Sequence, residues 1–493
     1  MKLSPRAYAV QWELHGWIGV LFAVPLFIAF YCGVFALFHD ELVVWQEPGL
    51  QVAGGPPSPT ELEQLAADLG AAGVVPPEAD VGFELSHDNP YVRVSSGEDT
   101  LGWVDARDGT LLRPRSELAD ALYGLHFLRP LPVVGMELSG VAAIALLIAA
   151  IGGFMLLLGR LRQNLWRYRP QLRRRWWAAD AHKSLGLLAL PFVIAMAWSG
   201  ATLSLGNLIG AGLAATSFDG SMSAVQTVRG YGGAPEARSA VAAPAMSIAE
   251  LVGRAQASVG TSEPPHYVGL VLRGDADAWV FVFFESRLSA PWRYVFVRAR
   301  DGEVLLDTSH ARTPTRTLEE PLYALHFAWF GGDAARCCYV VLTLAVCVLI
   351  VLGQVVWVDR RPAASSGRGW VARVGVGACA GLVLAVAVYF ALNRRLPDHV
   401  DARASTEWWA FIATWMLALS LAMVTRARLA TVAAVDLAIA GALDLAIVMG
   451  DALTLPVAAL ALPAVTRIEL LLVALGLASA AAAWLAHRAG RSR

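Results

Sequence analysis

Apolar residues in this chain fall mostly into long uncharged runs, at Trp17–Phe38, Leu138–Gly159, Ser184–Leu205, Cys337–Val358, Val374–Asn393, Trp408–Thr425 and Leu470–His487. A helix needs roughly 20 apolar residues to cross a bilayer core, and each run is close to that length. An eighth run, Leu429–Gly450, is interrupted by Asp436 and Asp444. The stretches at about 45–120 and 207–320 read differently. Thr60–Gly70 and Ser247–Gly260 have the Leu/Ala spacing of amphipathic helices, each opening on a Ser or Thr able to cap it. Strand-like Leu101–Asp105 and Thr110–Leu112 flank one Asp-Gly, and Arg293–Arg298 and Glu303–Leu306 flank another. Asp-Gly between such runs predicts a hairpin turn. The pattern predicts a polytopic α-helical membrane protein of about eight transmembrane helices with two small α+β domains outside the membrane.

Composition agrees: 56% of the 493 residues are hydrophobic and 16% charged, against about a quarter charged in soluble domains. The first run is too long for a cleaved signal peptide and is expected to stay in the mature protein. A net charge of −1 gives no reason to expect nucleic acid as a partner. All five cysteines lie in or beside predicted spans, so no disulfide framework is expected outside. The loop at 161–183 carries Arg162, Arg167, Arg169, Arg173, Arg174, Arg175 and Lys183 against a single Asp180, and Arg360, Arg361, Arg368, Arg426 and Arg428 mark further basic loops. By the positive-inside rule these are cytoplasmic, with both termini. The chain is then expected in a bacterial inner membrane, its soluble stretches in the periplasm.

The first 360 residues read as one unit written twice. Ala106-Arg107-Asp108-Gly109 recurs as Ala299-Arg300-Asp301-Gly302, and Leu122-Tyr123-Gly124-Leu125-His126-Phe127 recurs as Leu322-Tyr323-Ala324-Leu325-His326-Phe327. The spacing His15, Gly19, Gly33 recurs as His182, Gly186, Gly200, with a slip of one between Pro25 and Pro191. Four matches in chain order predict a first repeat at 1–160 and a second at 184–360, joined by the basic loop and followed by a four-helix extension at 371–493. Each unit has an even number of spans, so the repeat is parallel, related by a two-fold along the membrane normal.

That symmetry puts His15 and His182 at the cytoplasmic ends of the first and third spans, and His126 and His326 at the periplasmic ends of the second and fourth. Two imidazoles meeting across an axis satisfy the two axial positions of a haem iron. Gly19 and Gly186 follow the inner histidines by one turn, leaving room for a porphyrin edge. The plainer account makes each histidine an interfacial anchor, but ionisable residues in spans lean functional. His39 breaks the symmetry and suits a structural role. Arg129 beside His126 and Lys183 beside His182 are placed to neutralise propionates, as is Arg336, although topology and snorkelling also account for such cations. Without Cys-x-x-Cys-His the haem would be the non-covalent b type. Without a dinucleotide fingerprint, reducing power must come from a cytoplasmic reductase, a reduced flavin or quinol.

The stretch Glu13-Leu14-His15-Gly16-Trp17, the two Leu-Tyr-x-Leu-His-Phe copies, His182 and the Asp-Gly hairpins resemble the PepSY-associated transmembrane family. The chain is similar there to di-haem ferric-siderophore reductases and iron-uptake factors of Gram-negative inner membranes, over residues 1 to about 360. The resemblance implies two haems b on four helices, paired PepSY-like domains outside, and reduction of a periplasmic ferric siderophore or ferric chelate. Tyr123, Tyr323, Trp329 and Trp103 are placed to line a site for that acceptor, although an aromatic belt explains the first three equally well. Two alternatives stand beside it: a PepSY-type regulatory or sensing protein without redox activity, and a transporter-associated subunit, suggested by Asp436 and Asp444. For those two acids, packing against Arg373 or Arg467 is the plainer account.

Overall fold

A computed structural model describes the chain except residues 1–3, 77, 87–89, 98, 106–107, 133, 162, 164–173, 234, 236–237, 285–292, 310–312, 329, 363–364, 366, 398–399 and 492–493. Most of the basic loop, Trp329 and the Ala106-Arg107 dipeptide therefore lie outside the described residues. The chain forms two compact units, one of Met1–Gln46, Arg115–Gly206 and Gly331–Arg493, the other of Glu47–Pro114 and Asn207–Phe330.

The first unit is helical: α1 (Pro5–Leu21), α2 (Ala23–Ala36), α3 (His39–Gln46), α5 (Leu118–His126), α6 (Gly135–Leu157), α7 (Arg174–Leu188), α8 (Leu190–Ser217, whose end belongs to the second unit), α12 (Gly332–Arg360), α13 (Arg368–Arg395), α14 (Arg403–Val424), α15 (Leu429–Thr454) and α16 (Pro463–Arg491). Seven of these, α6, α8 and α12–α16, are long and apolar enough to cross a membrane singly. The first predicted span is not one straight helix: α1 and α2 meet at a bend of 60°. Pro25 explains the break, because it has no N–H for the carbonyl of Leu21 and its ring clashes with it. Pro191 acts alike on Leu187, and α7 ends one residue later. The interrupted run at 429–450 lies in one continuous helix, α15, and the two acids that interrupt it, Asp436 and Asp444, are both buried.

His126 and His326 do not sit on the second and fourth spans. They end separate short helices, α5 and α11 (Pro314–Phe327), which precede α6 and α12. A residue in left-handed conformation turns the chain between helix and span in both places, Leu128 at φ 60° and Ala328 at φ 54°. This conformation costs a non-glycine residue energy and stops the short helix from running on.

The second unit holds α4 (Pro59–Ala71), α9 (Met222–Arg229), α10 (Ile248–Val259), α11 and eight strands. These are β1 (Val81–Leu85), β2 (Tyr91–Ser96), β3 (Asp99–Asp105), β4 (Leu111–Leu112), β5 (Tyr267–Val271), β6 (Trp279–Phe284), β7 (Arg293–Arg298) and β8 (Val304–Asp307). The two soluble stretches share one sheet, of order β4-β3-β2-β1-β5-β6-β7-β8, antiparallel throughout. Each half is a four-stranded meander with a final hairpin whose glycine takes positive φ, Gly109 at 73° and Gly302 at 70°. The halves join at β1 and β5 by a symmetric register in which Gly82 faces Gly269, flanked by Val81–Leu270 and Phe83–Val268. The Tyr267 ring lies over both glycines, and a Cβ on Gly82 would overlap its hydroxyl.

Helices α4 and α10 cover one face of this sheet. Leu62, Phe83, Val92, Val252, Val268, Val282, Phe284 and Val295 form its core, and each large side chain so buried contributes about 1.5–3 kcal/mol. Both helices open on a full capping box, Ser58 with Glu61 and Ser247 with Glu250. The first cap is Ser58 rather than the expected Thr60, because Pro59 at the first helical position lengthens the helix upstream.

Candidate functional site

His15 projects from α1 and His182 from α7, and α12 packs against both helices. The two imidazoles approach each other, with ring centres 6.0 Å apart and planes at 75°. Each Nδ1 is fixed by a carbonyl on a neighbouring helix: that of His15 by Ala149 at 2.8 Å, that of His182 by Leu349 at 3.0 Å. A carbonyl only accepts, so Nδ1–H must donate in both rings, which leaves both Nε2 atoms as lone-pair bases. The same two helices supply a glycine beneath each ring. A Cβ on Gly153 would stand 3.0 Å from Cε1 of His15, and one on Gly353 would stand 3.1 Å from Cε1 of His182. Ala149 and Leu349, like Gly153 and Gly353, are 200 residues apart, the same offset that relates His126 to His326.

The rings line a cavity of about 830 Å³ that opens beside Gly19, Gly186, Trp12, Lys183 and Trp357. The volume suits a cofactor-sized guest, for which about 300–1,000 Å³ is usual. A Cβ on Gly19 would meet nothing within 4 Å, so this glycine widens the cavity; one on Gly186 would make ordinary contact, 3.5 Å from Leu349. Cations gather at the cavity wall. Lys183 lies 3.6 Å from Asp180, Arg361 stacks on Trp357 at 3.4 Å and Arg360 on Trp12 at 4.2 Å. The Trp357 Nε1–H is buried and has no acceptor among the described residues, so it is a donor available to an anionic group.

These residues fit a planar metal-bearing group. If both imidazoles held one metal ion, bonds of about 2 Å and about 1.1 Å more to each ring centre would set the rings about 6 Å apart, the separation of His15 and His182. A donor set of two neutral nitrogens, a large apolar cavity and cations near its wall suits an iron porphyrin with two carboxylates. Among the described residues, no three His, Cys, Asp or Glu side chains come together as an ion cage.

His126 repeats the local pattern. Its Nδ1 donates to the Ala29 carbonyl of α2 at 2.7 Å, and a Cβ on Gly33 would stand 3.0 Å from that nitrogen. His326 occupies the last turn of α11, in the second unit. Arg129 follows α5 and is exposed. Arg336 is engaged elsewhere, paired with Glu41 and stacked on Phe38 at 5.6 Å. His39 is structural: Nε2 lies 2.9 Å from Asp120, Nδ1 lies 3.2 Å from Asp40, and its ring packs 5.1 Å from Tyr123.

Sequence reasoning found the histidines but missed Ala149, Leu349, Gly153, Gly353, Trp357, Arg360 and Arg361. The glycine pair had a signal, the offset of 200 it shares with the Leu-Tyr-x-Leu-His-Phe copies. The carbonyl acceptors had none, since any residue type supplies one.

Fold and cavity define a multi-pass helical membrane protein that holds paired histidines among its spans. The model of the PepSY-associated TM region matches residues 12–360, and the chain belongs to that family. A comparison with curated proteins finds no match. Helices α13–α16 lie beyond the family region.

Proposed function

We propose that this protein is a haem-dependent oxidoreductase that moves electrons across the bacterial inner membrane and reduces a ferric siderophore or ferric chelate in the periplasm. The observation that carries the reading is the His15–His182 pair, 6.0 Å apart with both Nδ1 atoms committed to carbonyls. A haem b held there supplies one-electron exchange between ferric and ferrous iron. The chain's own residues do the rest. Ala149 and Leu349 hold the tautomer and the ring orientation, so neither imidazole has to reorganise to offer Nε2. Gly153 and Gly353 let the rings lie flat against their helices. Lys183, Arg360 and Arg361 would offset the charge of the haem carboxylates, and the Trp357 Nε1–H would donate to one of them.

The outer pair, His126 and His326, rests on the repeat and on His126 sharing the carbonyl-and-glycine pattern of the inner histidines. The basic loops set the cytoplasmic side, so His15 and His182 face the donor and the eight-stranded unit belongs in the periplasm. Cytoplasmic reductase, reduced flavin or quinol would supply the electrons. Moving negative charge outward is downhill by about 2.3 kcal/mol per 100 mV, which favours a poor acceptor such as chelated ferric iron.

Haem-to-protein ratio and reduced-minus-oxidised spectra of the detergent-purified protein test the proposal. Two low-spin, non-covalent haems per chain are expected. His15→Ala or His182→Ala should remove one, and His126→Ala or His326→Ala the other. A colourless protein purified from cells supplied with ample haem would overturn the redox reading in favour of a regulatory one.

A further inference from the structure

The four helices beyond the family region bury acids that nothing in the electron-transfer reading uses. Asp436, Asp444 and Asp451 are 7%, 4% and 5% exposed. Spacings of eight and seven residues put all three on one stripe of α15, at axial steps of roughly 12 and 10 Å. Between the first two acids α15 crosses α16 closely through small residues, where a Cβ on Gly441 would stand 2.7 Å from the Gly476 carbonyl oxygen. Gly441 lies between the first two acids, and the buried Ser479 packs against it. Asp444 lies within electrostatic reach of Tyr31 on α2.

At the other end, Asp451 pairs with Arg394 at 2.8 Å and lies beside Glu469. Glu469 accepts from Trp45 Nε1 at 2.6 Å, and Arg394 stacks on that indole at 3.6 Å. The Arg394 side chain is only 6% exposed, yet its Nη2 has no acceptor among the described residues, and Glu469 Oε2 and Asp436 Oδ2 have no donor. Buried polar atoms left over in this way call for a partner such as a water or an ion. The cations that would account for Asp436 and Asp444 as packing are committed elsewhere. Arg373 donates to the carbonyls of Ala422, Met423 and Thr425, and Arg467 pairs with Glu41 and Asp333. An acid buried in a span without a counter-ion marks a proton or cation path.

We propose that α15 carries a proton path, running from Asp436 past Asp444 to the Asp451–Arg394–Glu469 cluster, and that the C-terminal bundle thereby conducts protons across the membrane. A proton accepted by one carboxylate would pass to the next over water molecules between them, and no electron is exchanged. The proposal is independent of the haem reading.

The test uses the full chain in sodium-free proteoliposomes with a trapped pH dye, where valinomycin and a potassium gradient impose the potential. Proton entry should exceed that of protein-free vesicles. Asp436→Asn and Asp444→Asn should each slow it by about tenfold, while Asp444→Glu retains it. If an Asn variant does not fold, a hydrophobic carbodiimide on the wild-type chain must stop the flux. Wild-type vesicles no leakier than lipid alone, Asn variants that conduct normally, flux surviving carbodiimide or a signal that requires added sodium would each overturn the proposal.

Discussion

Gly353 lies so close beneath the ring of His182 that a Cβ added to it would stand 3.1 Å from Cε1, inside normal contact distance. Gly153 meets His15 in the same way. Neither helix nor ring can yield without loosening the Nδ1 bonds to Leu349 and Ala149. Gly353→Val or Gly153→Val should therefore weaken retention of the haem proposed there by about 10- to 100-fold, the usual cost of disturbing residues that orient metal ligands. The outer haem should remain. Pyridine haemochrome titration of each variant reads this directly, and unchanged stoichiometry would count against the site.

The join of the two half-sheets gives a second prediction. A Cβ at Gly82 would overlap the Tyr267 hydroxyl and fall 2.6 Å from Ser95 Oγ. Gly82→Ala should destabilise the eight-stranded unit by about 1–3 kcal/mol. Adding Tyr267→Ala should recover part of that loss, because the two changes share one contact. Thermal unfolding of the single and double variants measures the coupling, and simple additivity would be the contrary result.

His39 makes stability depend on pH. Burial pulls its pKa down, but Asp120 and Asp40 outweigh this and raise it to about 9, against about 6.5 in an unfolded chain. A raised folded pKa contributes stability that is complete below about pH 6.5 and is lost as pH climbs through about 9. Since both aspartates are exposed, the loss should be only about 1 kcal/mol. His39→Gln should remove this component, so melting curves for the two proteins at pH 6 and pH 10 should differ at the lower value and converge at the higher one.

The capping boxes of α4 and α10 are solvent-exposed and local. Ser58→Ala and Ser247→Ala should each cost about 1 kcal/mol. The effects should add in the double variant, since the two caps share no partner. Differential scanning calorimetry checks both points.

Much of this protein was legible in the chain itself, and the reason is local physics. A span must be a long apolar run because lipid offers no hydrogen bonds, so α6, α8 and α12–α16 stood out by length and composition. The Asp-Gly hairpins were legible because the turn itself demands a glycine at positive φ, as Gly109 and Gly302 adopt. The histidines stood out because a charge-capable ring within apolar sequence is rare and recurred at matched positions.

Other features depended on residues far apart in sequence. Pro25 was visible as a helix breaker, but the 60° between α1 and α2 was not, since a missing N–H ends a helix without fixing the angle of the next. His126 and His326 followed the predicted spacing, yet left-handed turns at Leu128 and Ala328 put them on short helices of their own. The single sheet required the edge of β1 to find the edge of β5, nearly 190 residues away, and strand edges carry no sequence label. Which nitrogen of His15 and His182 remains a base was decided by the carbonyls of Ala149 and Leu349. Every residue has a carbonyl, so only the tertiary structure, by bringing those helices against α1 and α7, could select these two.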